Sequence, residues 1–298
     1  MQRRKFLQNS ALAFGAFTLN RQNIFAAFID EPWKITMLTD DIGIFTEKGG
    51  TIAFHFSKDG TTVVDAQFPD SAPHLIAELK KRKDQPIRLL INTHHHGDHT
   101  SGNIAFKDGT SRVLAHENSL KNQKNVATAQ KTEDKQYYPN QAFGTVWEEK
   151  AGKEKIALHY YGAGHTNGDA LIHFQHADVV HTGDLVFNRR HPFVDRSAGA
   201  NMQSWMLVLE EAMKKFSRKT KYVFGHAGTG YDVTGSKDDL QVFHDYLGNV
   251  LKYTGDEIKA GKSKEEILKA TAIPGSPQWT GDGIERPLGA AYDELTAL

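Results

Sequence analysis

Short apolar segments separated by turns follow residue 30, and their length and composition are typical of β-strands. The pattern predicts a strand over 35–46 and then a hairpin of strands 51–56 and 61–65, joined by the turn Lys58-Asp59-Gly60. Six further strands are predicted at 87–92, 112–115, 155–161, 170–174, 178–181 and 222–224.

Helical periodicity occurs between and after these strands. Apolar residues spaced by three and four predict a helix over 71–83, which starts at the capping residue Ser71 and is ended by Pro86. The same spacing predicts a core-facing helix over 202–216 and another over 238–259. Strand and helix patterns therefore alternate along the chain.

Three segments have weaker periodicity. Residues 116–150 are rich in Asn, Gln, Lys and Glu, which indicates an inserted helix and loop beside one side of a site. Ser263 and Glu266 form a capping-box pattern that opens a short helix. Residues 273–287 contain glycine- and proline-rich turns and are expected to form a surface tail before a last helix.

The composition limits which chemistry the chain can use. Its 298 residues are 39% hydrophobic and 24% charged, which excludes a disordered chain. There is no cysteine, so disulfides, thiolate nucleophiles and iron–sulfur clusters are excluded. There are fifteen histidines, and they cluster. A transition-metal site in this chain must therefore consist of imidazole and carboxylate groups.

The charge is unevenly distributed at the N-terminus. Basic and acidic residues balance at 36 each, but residues 1–29 hold four basic residues and no acid. Arg3 and Arg4 precede a short apolar stretch over 11–19, which resembles a twin-arginine export signal. We predict such a signal over 1–27, a periplasmic or otherwise exported protein, and one domain with C-terminal helices over 28–298. The alternative is a basic N-terminal helix docked on the body.

The densest cluster of potential metal ligands follows strand 87–92 and reads Thr93-His94-His95-His96-Gly97-Asp98-His99. His94 and His96 are two residues apart, so they share a direction if strand geometry persists. Asp98 and His99 then lie in the following turn. Four potential ligands within six residues are enough for parts of two metal sites.

Three later strands also end in glycine-rich turns, and each turn carries one potential ligand: His165 in 162–169, Asp184 after 178–181, and His226 after 222–224. Each turn alone is a weak signal. Their order downstream of the histidine cluster resembles the metallo-β-lactamase superfamily over most of residues 33–250. That resemblance implies an α/β fold, an αββα sandwich of two mixed β-sheets flanked by helices.

The resemblance also implies seven ligands divided between two zinc ions, with iron or manganese as the alternative metal. One ion would be held by His94, His96 and His165. The second would be held by Asp98, His99 and His226, and Asp184 would bridge both. An aspartate at the bridging position is typical of the branches that include glyoxalase II and lactonases.

Five other residues are candidates for a supporting role. Asp65 ends strand 61–65, where its carboxylate could accept a proton from a ligand histidine and fix its tautomer. His181 is a candidate to contact a ligand rather than a metal. Asn188, Arg190 and His191 follow the bridging aspartate closely enough to line the mouth of the site.

The implied activity is binuclear zinc-dependent hydrolysis of an acyl bond by a metal-bound hydroxide, with Asp98 as the catalytic residue that orients it. The substrate would be a small ester, lactone, thioester or β-lactam. Two alternatives are a phosphodiesterase or nuclease on the same fold and a non-enzymatic metal-binding module. The sequence has no dense basic stripe for nucleic acid and no apolar run of ~20 residues for stable membrane insertion. It leaves the oligomeric state and the substrate undetermined.

Overall fold

A computed structural model describes residues 32–297 of the chain, in two mixed β-sheets that share a core. The first sheet has the order β1-β2-β3-β4-β5-β6-β7. Its strands are β1 Lys34–Met37, β2 Ile42–Thr46, β3 Ile52–Ser57, β4 Gly60–Val64, β5 Ile87–Ile91, β6 Val113–His116 and β7 Gln141–Phe143. Strands β2 to β4 pair antiparallel and β4 to β7 pair parallel.

The second sheet contains six strands, and two further short strands form a separate pair, which gives eight strands in all. The strands are β8 Val146–Ala151, β9 Glu154–His159, β10 Leu171–Phe174, β11 Val179–His181, β12 Phe187–Asn188, β13 Lys221–Val223, β14 His226–Ala227 and β15 Thr234–Gly235. The sheet has the order β15-β13-β11-β10-β9-β8, and β12 pairs parallel with β14.

Seven α-helices lie between or after the strands in the described part of the chain. They are α1 Ala72–Arg82, α2 Gly97–Thr100, α3 Glu117–Gln130, α4 Met202–Lys215, α5 Lys237–Lys259, α6 Lys264–Ile267 and α7 Glu285–Thr296. The predicted αββα sandwich is therefore confirmed. No helix within residues 32–297 is both long and apolar enough to cross a bilayer.

Alternate residues of the central strands face two different cores, as strand geometry requires. Val64 and Ile91 of the first sheet meet Leu158 and Ile172 of the second sheet in a fully buried core between the sheets. A second core lies on the other face of the second sheet, where Trp205 and other side chains of α4, α5 and α7 pack. Each face of the second sheet is thus buried.

The carboxyl ends of the parallel strands meet at one edge of the sandwich, where backbone hydrogen bonds connect the loops of the two sheets. The amide of Ala170 donates to the carbonyl of Thr93 over 2.8 Å, and the amide of Thr51 donates to the carbonyl of Gly225 over 3.0 Å. The loops that carry the histidine cluster and the later glycine-rich turns are therefore held together by backbone contacts.

The prediction for residues 116–150 was only partly right. Helix α3 is present, but β7 and β8 follow it and extend one edge of each sheet. Strand β8 has the sequence Val-Trp-Glu-Glu-Lys-Ala with alternating exposure. Glu148 and Lys150 are exposed, as is typical of an edge strand, whereas the half-buried Glu149 pairs with Arg112. The three charged residues hid the strand pattern in the sequence.

The prediction of a surface tail over 273–287 was wrong. Ile273 and Trp279 are only 2% and 5% exposed and belong to the core under α5. Pro287 and Leu288 are buried in the first turns of α7. The glycines of this segment make turns, but its apolar side chains anchor it.

Two local predictions also differ from the structure. Ser71 precedes α1 without a side-chain capping bond, because its hydroxyl pairs with the backbone of Phe68. The strand predicted over 35–46 is interrupted by a turn in which Thr39 Oγ1 accepts from the amide of Ile42 over 3.0 Å. The predicted signal over 1–27 lies outside the described residues.

The shared core between the sheets can be tested with one leucine pair. Leu158→Ala should lower the free energy of unfolding by about 2–5 kcal/mol, because Leu158 is fully buried between the sheets. Leu207→Ala is the matched control, since Leu207 is 60% exposed on α4 and should cost less than about 0.5 kcal/mol. Urea unfolding measures both. Equal losses of unfolding free energy in the two variants would show that burial of Leu158 does not stabilise this core.

Candidate metal centre

The structure brings seven histidine and aspartate side chains together at the loop edge of the sandwich. They follow β5, β9, β11 and β13 and form two groups of potential metal-binding atoms: His94, His96, His165 and Asp184 in the first, and Asp98, His99 and His226 in the second. These are the seven positions that the sequence singled out.

In the first group three imidazole nitrogens face one another. His94 Nε2 lies 3.1 Å and His165 Nε2 lies 2.8 Å from His96 Nδ1. Asp184 Oδ2 lies 3.5 Å from His165 Nε2 and 3.9 Å from His94 Nε2. Four donor atoms from three separate loops therefore converge on one point.

The second group lies on the other side of Asp184. His226 Nε2 is 3.0 Å from Asp98 Oδ2 and 3.4 Å from Asp184 Oδ2. His99 Nε2 is 3.1 Å from Asp184 Oδ1 and 3.7 Å from Asp98 Oδ2. The carboxylate of Asp184 thus faces both groups of histidines.

Two atoms at the centre of this arrangement are suited to bind a cation. His99 Nε2 and Asp184 Oδ1 are both buried and neither makes a hydrogen bond among the described residues, although they face each other. Buried polar atoms are normally hydrogen-bonded, so each needs a partner. A donor set of only imidazole nitrogen and carboxylate oxygen suits zinc, and also iron or manganese.

Hydrogen bonds on the far side of each ring determine which nitrogen is left for a metal. His99 Nδ1 donates to Asp65 Oδ2 over 2.8 Å, which leaves Nε2 free. His94 Nδ1 donates to Thr93 Oγ1 over 3.0 Å, and that hydroxyl donates to Asp65 Oδ2 over 2.7 Å. Asp65 has a left-handed φ of 66°, which directs its carboxylate at both partners. Asp65 thus has the supporting geometry that the sequence suggested.

The loop after Asp184 orients the other two histidines of the first group. His165 Nδ1 donates to the carbonyl of Phe193 over 2.8 Å, and His96 Nε2 donates to Asp195 Oδ2 over 2.9 Å. His95 Nε2 lies 3.5 Å from the same Asp195 oxygen. Such outer contacts fix the tautomer and orientation of a ligand histidine.

Sequence reasoning missed Asp195. The residue lies in a Pro-Phe-Val-Asp stretch with no ligand-type spacing, and its contact with His96 joins positions 99 residues apart. Burial opposes its ionisation, but hydrogen bonds from His95 and His96 hold the pKa of Asp195 well below its usual value. An acidic side chain in the loop that follows Asp184 was the only available signal.

His181 supports the backbone beneath Asp184 and does not face the metal-binding atoms. Its Nδ1 accepts from the amide of Gly183 over 2.9 Å, and its Nε2 donates to the carbonyl of Thr51 over 2.9 Å. Gly183 has a φ of +51°, and a Cβ there would lie 2.6 Å from Thr93 Oγ1. The sharp turn that presents Asp184 therefore depends on a glycine and on one buried neutral histidine.

The second group has a strong attraction for positive charge. Burial opposes ionisation of Asp184, but His226 and His99 lower its pKa well below the usual value. Burial likewise opposes protonation of the two histidines. The facing carboxylates, first that of Asp184, nevertheless raise the pKa of His226 to about 9 and that of His99 well above its usual value. The second group therefore attracts a cation, and a metal ion must compete there with protons.

The first group behaves in the opposite way. Burial lowers the pKa of His94 well below its usual value and that of His165 to about 3, and neighbouring histidines lower both further. These imidazoles are neutral at physiological pH. Neutral imidazole is the form that binds a metal, so His94 and His165 need no deprotonation to accept one.

A cavity of about 310 Å³ opens onto these atoms. Arg190, His191, Phe187 and Phe193 line it together with side chains of both groups. Asn188, which was expected at the mouth, is instead buried and donates to the carbonyl of Asp232, in the loop between β14 and β15, over 2.8 Å. The cavity is therefore bounded by cationic and aromatic side chains.

Comparisons with known proteins agree with this geometry. The sequence model of the metallo-beta-lactamase superfamily matches residues 51–226, which include all seven metal-binding candidates. A metallo-beta-lactamase type 2 from Bacillus sp. (strain 170) is 24% identical over 208 residues, 66% of this chain and 77% of that protein. A hydroxyacylglutathione hydrolase from Pelagibacter ubique (strain HTCC1062) is 25% identical over 175 residues, 58% of this chain and 64% of that protein.

The fold itself is shared with solved structures. A metallo-beta-lactamase from Pontibacter korlensis superposes with a TM-score of 0.62 at 19% identity, covering 73% of this chain and 99% of that chain. At this identity the likeness concerns the fold alone, whereas the family match extends over more than half of the sequence. This protein is a metal-dependent hydrolase that belongs to the metallo-beta-lactamase superfamily.

Proposed function

We propose that the protein is a binuclear zinc hydrolase of acyl bonds in small esters, lactones, thioesters or β-lactams. The observation that carries the proposal is the position of the buried Asp184 carboxylate between two groups of imidazoles. When bound, zinc supplies Lewis acidity and a water molecule whose pKa is lowered toward neutrality. The first ion would be held by His94, His96 and His165.

The second ion would be held by Asp98, His99 and His226, with Asp184 shared between the sites. A shared carboxylate places negative charge between two dications that otherwise repel each other. The hydrogen bond from His99 to Asp65 keeps the His99 ring in the metal-binding tautomer. The chain therefore supplies a preformed, mostly buried set of donors.

We propose that Asp98 orients the attacking water molecule and accepts its proton. It lines the cavity and is the most exposed of the candidate ligands, with 29% of its side chain accessible. Burial opposes its ionisation, but His99 and His226 lower the pKa of Asp98 below its usual value. It is therefore ionised at neutral pH, where it can orient a water molecule and accept its proton.

The volume of the cavity supports a small acyl compound, rather than a nucleic acid, as the substrate. The space holds about 310 Å³ between Phe187, Phe193 and the metal-binding atoms. The relative from Pelagibacter ubique is by its name a hydrolase of an acyl compound. A phosphodiesterase on the same fold is the alternative that an assay must separate.

An activity panel tests the reaction class. The zinc-loaded protein should hydrolyse at least one of nitrocefin, simple lactones and thioesters faster than bis-p-nitrophenyl phosphate. The reverse preference would favour the phosphodiesterase, and bound metal without turnover of any compound would favour a metal-binding module.

The shared role of Asp184 predicts the effect of one substitution. Asp184→Asn should lower turnover about 100-fold or more while the fold is kept, because a neutral amide cannot balance two dications. Asp245→Asn, at an exposed position of α5, is the matched control. Turnover, metal content and circular dichroism are compared. Normal activity of Asp184→Asn with two metals bound would exclude the shared role.

The opposite pKa shifts of the two groups predict stepwise loss of metal in acid. Protons compete with metal at the second group throughout neutral pH, since the pKa of His226 is raised to about 9, whereas that of His165 is lowered to about 3. Dialysis against buffered zinc from about pH 8 to about pH 5 should release one ion before the other. His226→Ala should lack the early step. Simultaneous release of both ions would contradict the assignment.

We also propose that residues 1–27 are a twin-arginine-type signal and that 28–298 form the exported domain. The paired arginines and the short apolar stretch after them support this. Arg3→Lys with Arg4→Lys should retain the protein in the cytoplasm on cell fractionation, and Arg21→Lys is the control. Unchanged export of the double variant would refute the signal.

A further inference from the structure

A third group of potential metal-binding atoms lies next to the first group and shares one histidine with it. His95, His96 and Asp195 each offer one such atom, and the three atoms lie within 4.8 Å of one another. Neither His95 nor Asp195 is among the seven side chains of the two groups described above. His96 faces the first group with Nδ1 and Asp195 with Nε2, so the opposite sides of one ring belong to two groups.

The distances in this third group are close to those between two ligands of one ion. His95 Nε2 lies 3.5 Å from Asp195 Oδ2, at the limit of a hydrogen bond, and His96 Nε2 lies 2.9 Å from the same oxygen. Zinc bonds of about 2.0–2.2 Å at tetrahedral angles place two ligand atoms about 3.3–3.6 Å apart. The contact of His95 already has this separation, and that of His96 is only slightly shorter.

The carboxylate of Asp195 is held with one oxygen toward the two rings. Its Oδ1 accepts from Ser197 Oγ over 2.5 Å and from the amide of Ala198 over 3.0 Å. Among the described residues, its Oδ2 faces only the imidazoles of His95 and His96. The oxygen that an ion would need is therefore already directed at both rings.

His95 is buried, although it belongs to neither of the two groups at the metal centre. Only 2% of its side chain is accessible, and its Nδ1 makes no hydrogen bond within residues 32–297. The hydroxyl of Thr100 donates to the carbonyl of His95 over 3.2 Å, which holds the backbone at this position. Burial of an incompletely paired imidazole costs free energy, and a cation bound at Nε2 would offset that cost.

An ion can reach this group from the cavity at the metal centre. His96 and Phe193 line that cavity, and their ring centroids are 5.5 Å apart. The accessible fraction is 17% for the His96 side chain and 46% for Phe193. The third group therefore lies beside the wall of an open cavity and not in the closed core between the sheets.

We propose that His95, His96 and Asp195 form a third metal site, which binds zinc or another divalent transition-metal ion. Two imidazoles and one carboxylate suit such ions and leave a fourth position for water. The proton on His96 Nε2 passes to solvent when the ion binds, and the ring then bridges this ion and the ion of the first group. The site goes beyond the proposed hydrolase function, because none of its chemistry depends on the reaction.

The shared ring makes this third site the last to be filled. An ion at His96 Nε2 must displace a proton that takes part in a hydrogen bond with Asp195. It must also bind near the positive charge of the ion in the first group, which repels it. The third site should therefore be occupied only at higher free zinc than the two sites of the metal centre.

Metal counting on the full chain tests the site. Protein is equilibrated with zinc buffered at rising free concentrations, and bound zinc is measured by elemental analysis. Wild-type protein should hold about two ions at low free zinc and about three at high free zinc, whereas His95→Gln should hold about two at both. Circular dichroism checks that the variant is folded.

His244→Gln is the matched control, because His244 lies between the carboxylates of Glu210 and Asp245 and is the main competing place for an extra ion. This variant should keep the third ion. The site is refuted if His95→Gln keeps the third ion, if only His244→Gln loses it, or if wild-type protein never binds more ions than His95→Gln.

The same comparison separates this site from the proposed function. If the metal centre holds fewer than two ions or hydrolyses no compound, the proposed function fails. A difference of one ion between wild-type protein and His95→Gln at high free zinc would still identify the third site.

Crystals of the wild-type protein soaked in zinc provide a test that needs no variant. An anomalous difference map at the zinc absorption edge should show a peak in contact with His95 Nε2 and Asp195 Oδ2, in addition to any peaks at the metal centre. Absence of that peak at a zinc concentration that gives the extra ion in solution would overturn the assignment.

Discussion

The buried carboxylate of Asp184 is the constraint on which the rest of the site depends. It faces His165 on one side and His99 and His226 on the other, and its Oδ1 makes no hydrogen bond among the described residues. A charge at that depth requires positive charge nearby. The surrounding backbone keeps that space open, because a Cβ at Gly225 would lie 1.9 Å from Asp184 Oδ1.

The two groups around this carboxylate are prepared differently for a cation. In the second group the facing carboxylates raise the pKa of His99 and His226, so a metal ion competes there with protons. In the first group burial keeps His94 and His165 neutral, and hydrogen bonds to Phe193, Asp195 and Thr93 hold the three histidine rings in place. Opposite electrostatic environments thus lie a few ångströms apart in one loop cluster.

Whether a feature of the site could be predicted from the sequence depends on whether its contacts join residues that are close together in the chain. His94, His96 and His99 lie within one loop, so their spacing in sequence limits their arrangement in space, and the turns carrying His165 and His226 have their own glycine signals. The hydrogen bond of Asp195 and the approach of Arg286 depend on the path of long loops, which no periodicity encodes. Strand β8 escaped detection for a related reason, because edge strands tolerate charge and lose their apolar pattern.

Arg286 of α7 lines the cavity at the metal centre, and this has a consequence for the order in which the parts of the site are synthesised. Chains emerge from the ribosome from the N-terminus, so every metal donor up to His226 is available before Trp279 and Arg286 exist. A nascent chain at that stage holds the donors of a hydrolase without its completed mouth. The side of the cavity that α7 forms is therefore completed only after all seven metal donors have been synthesised.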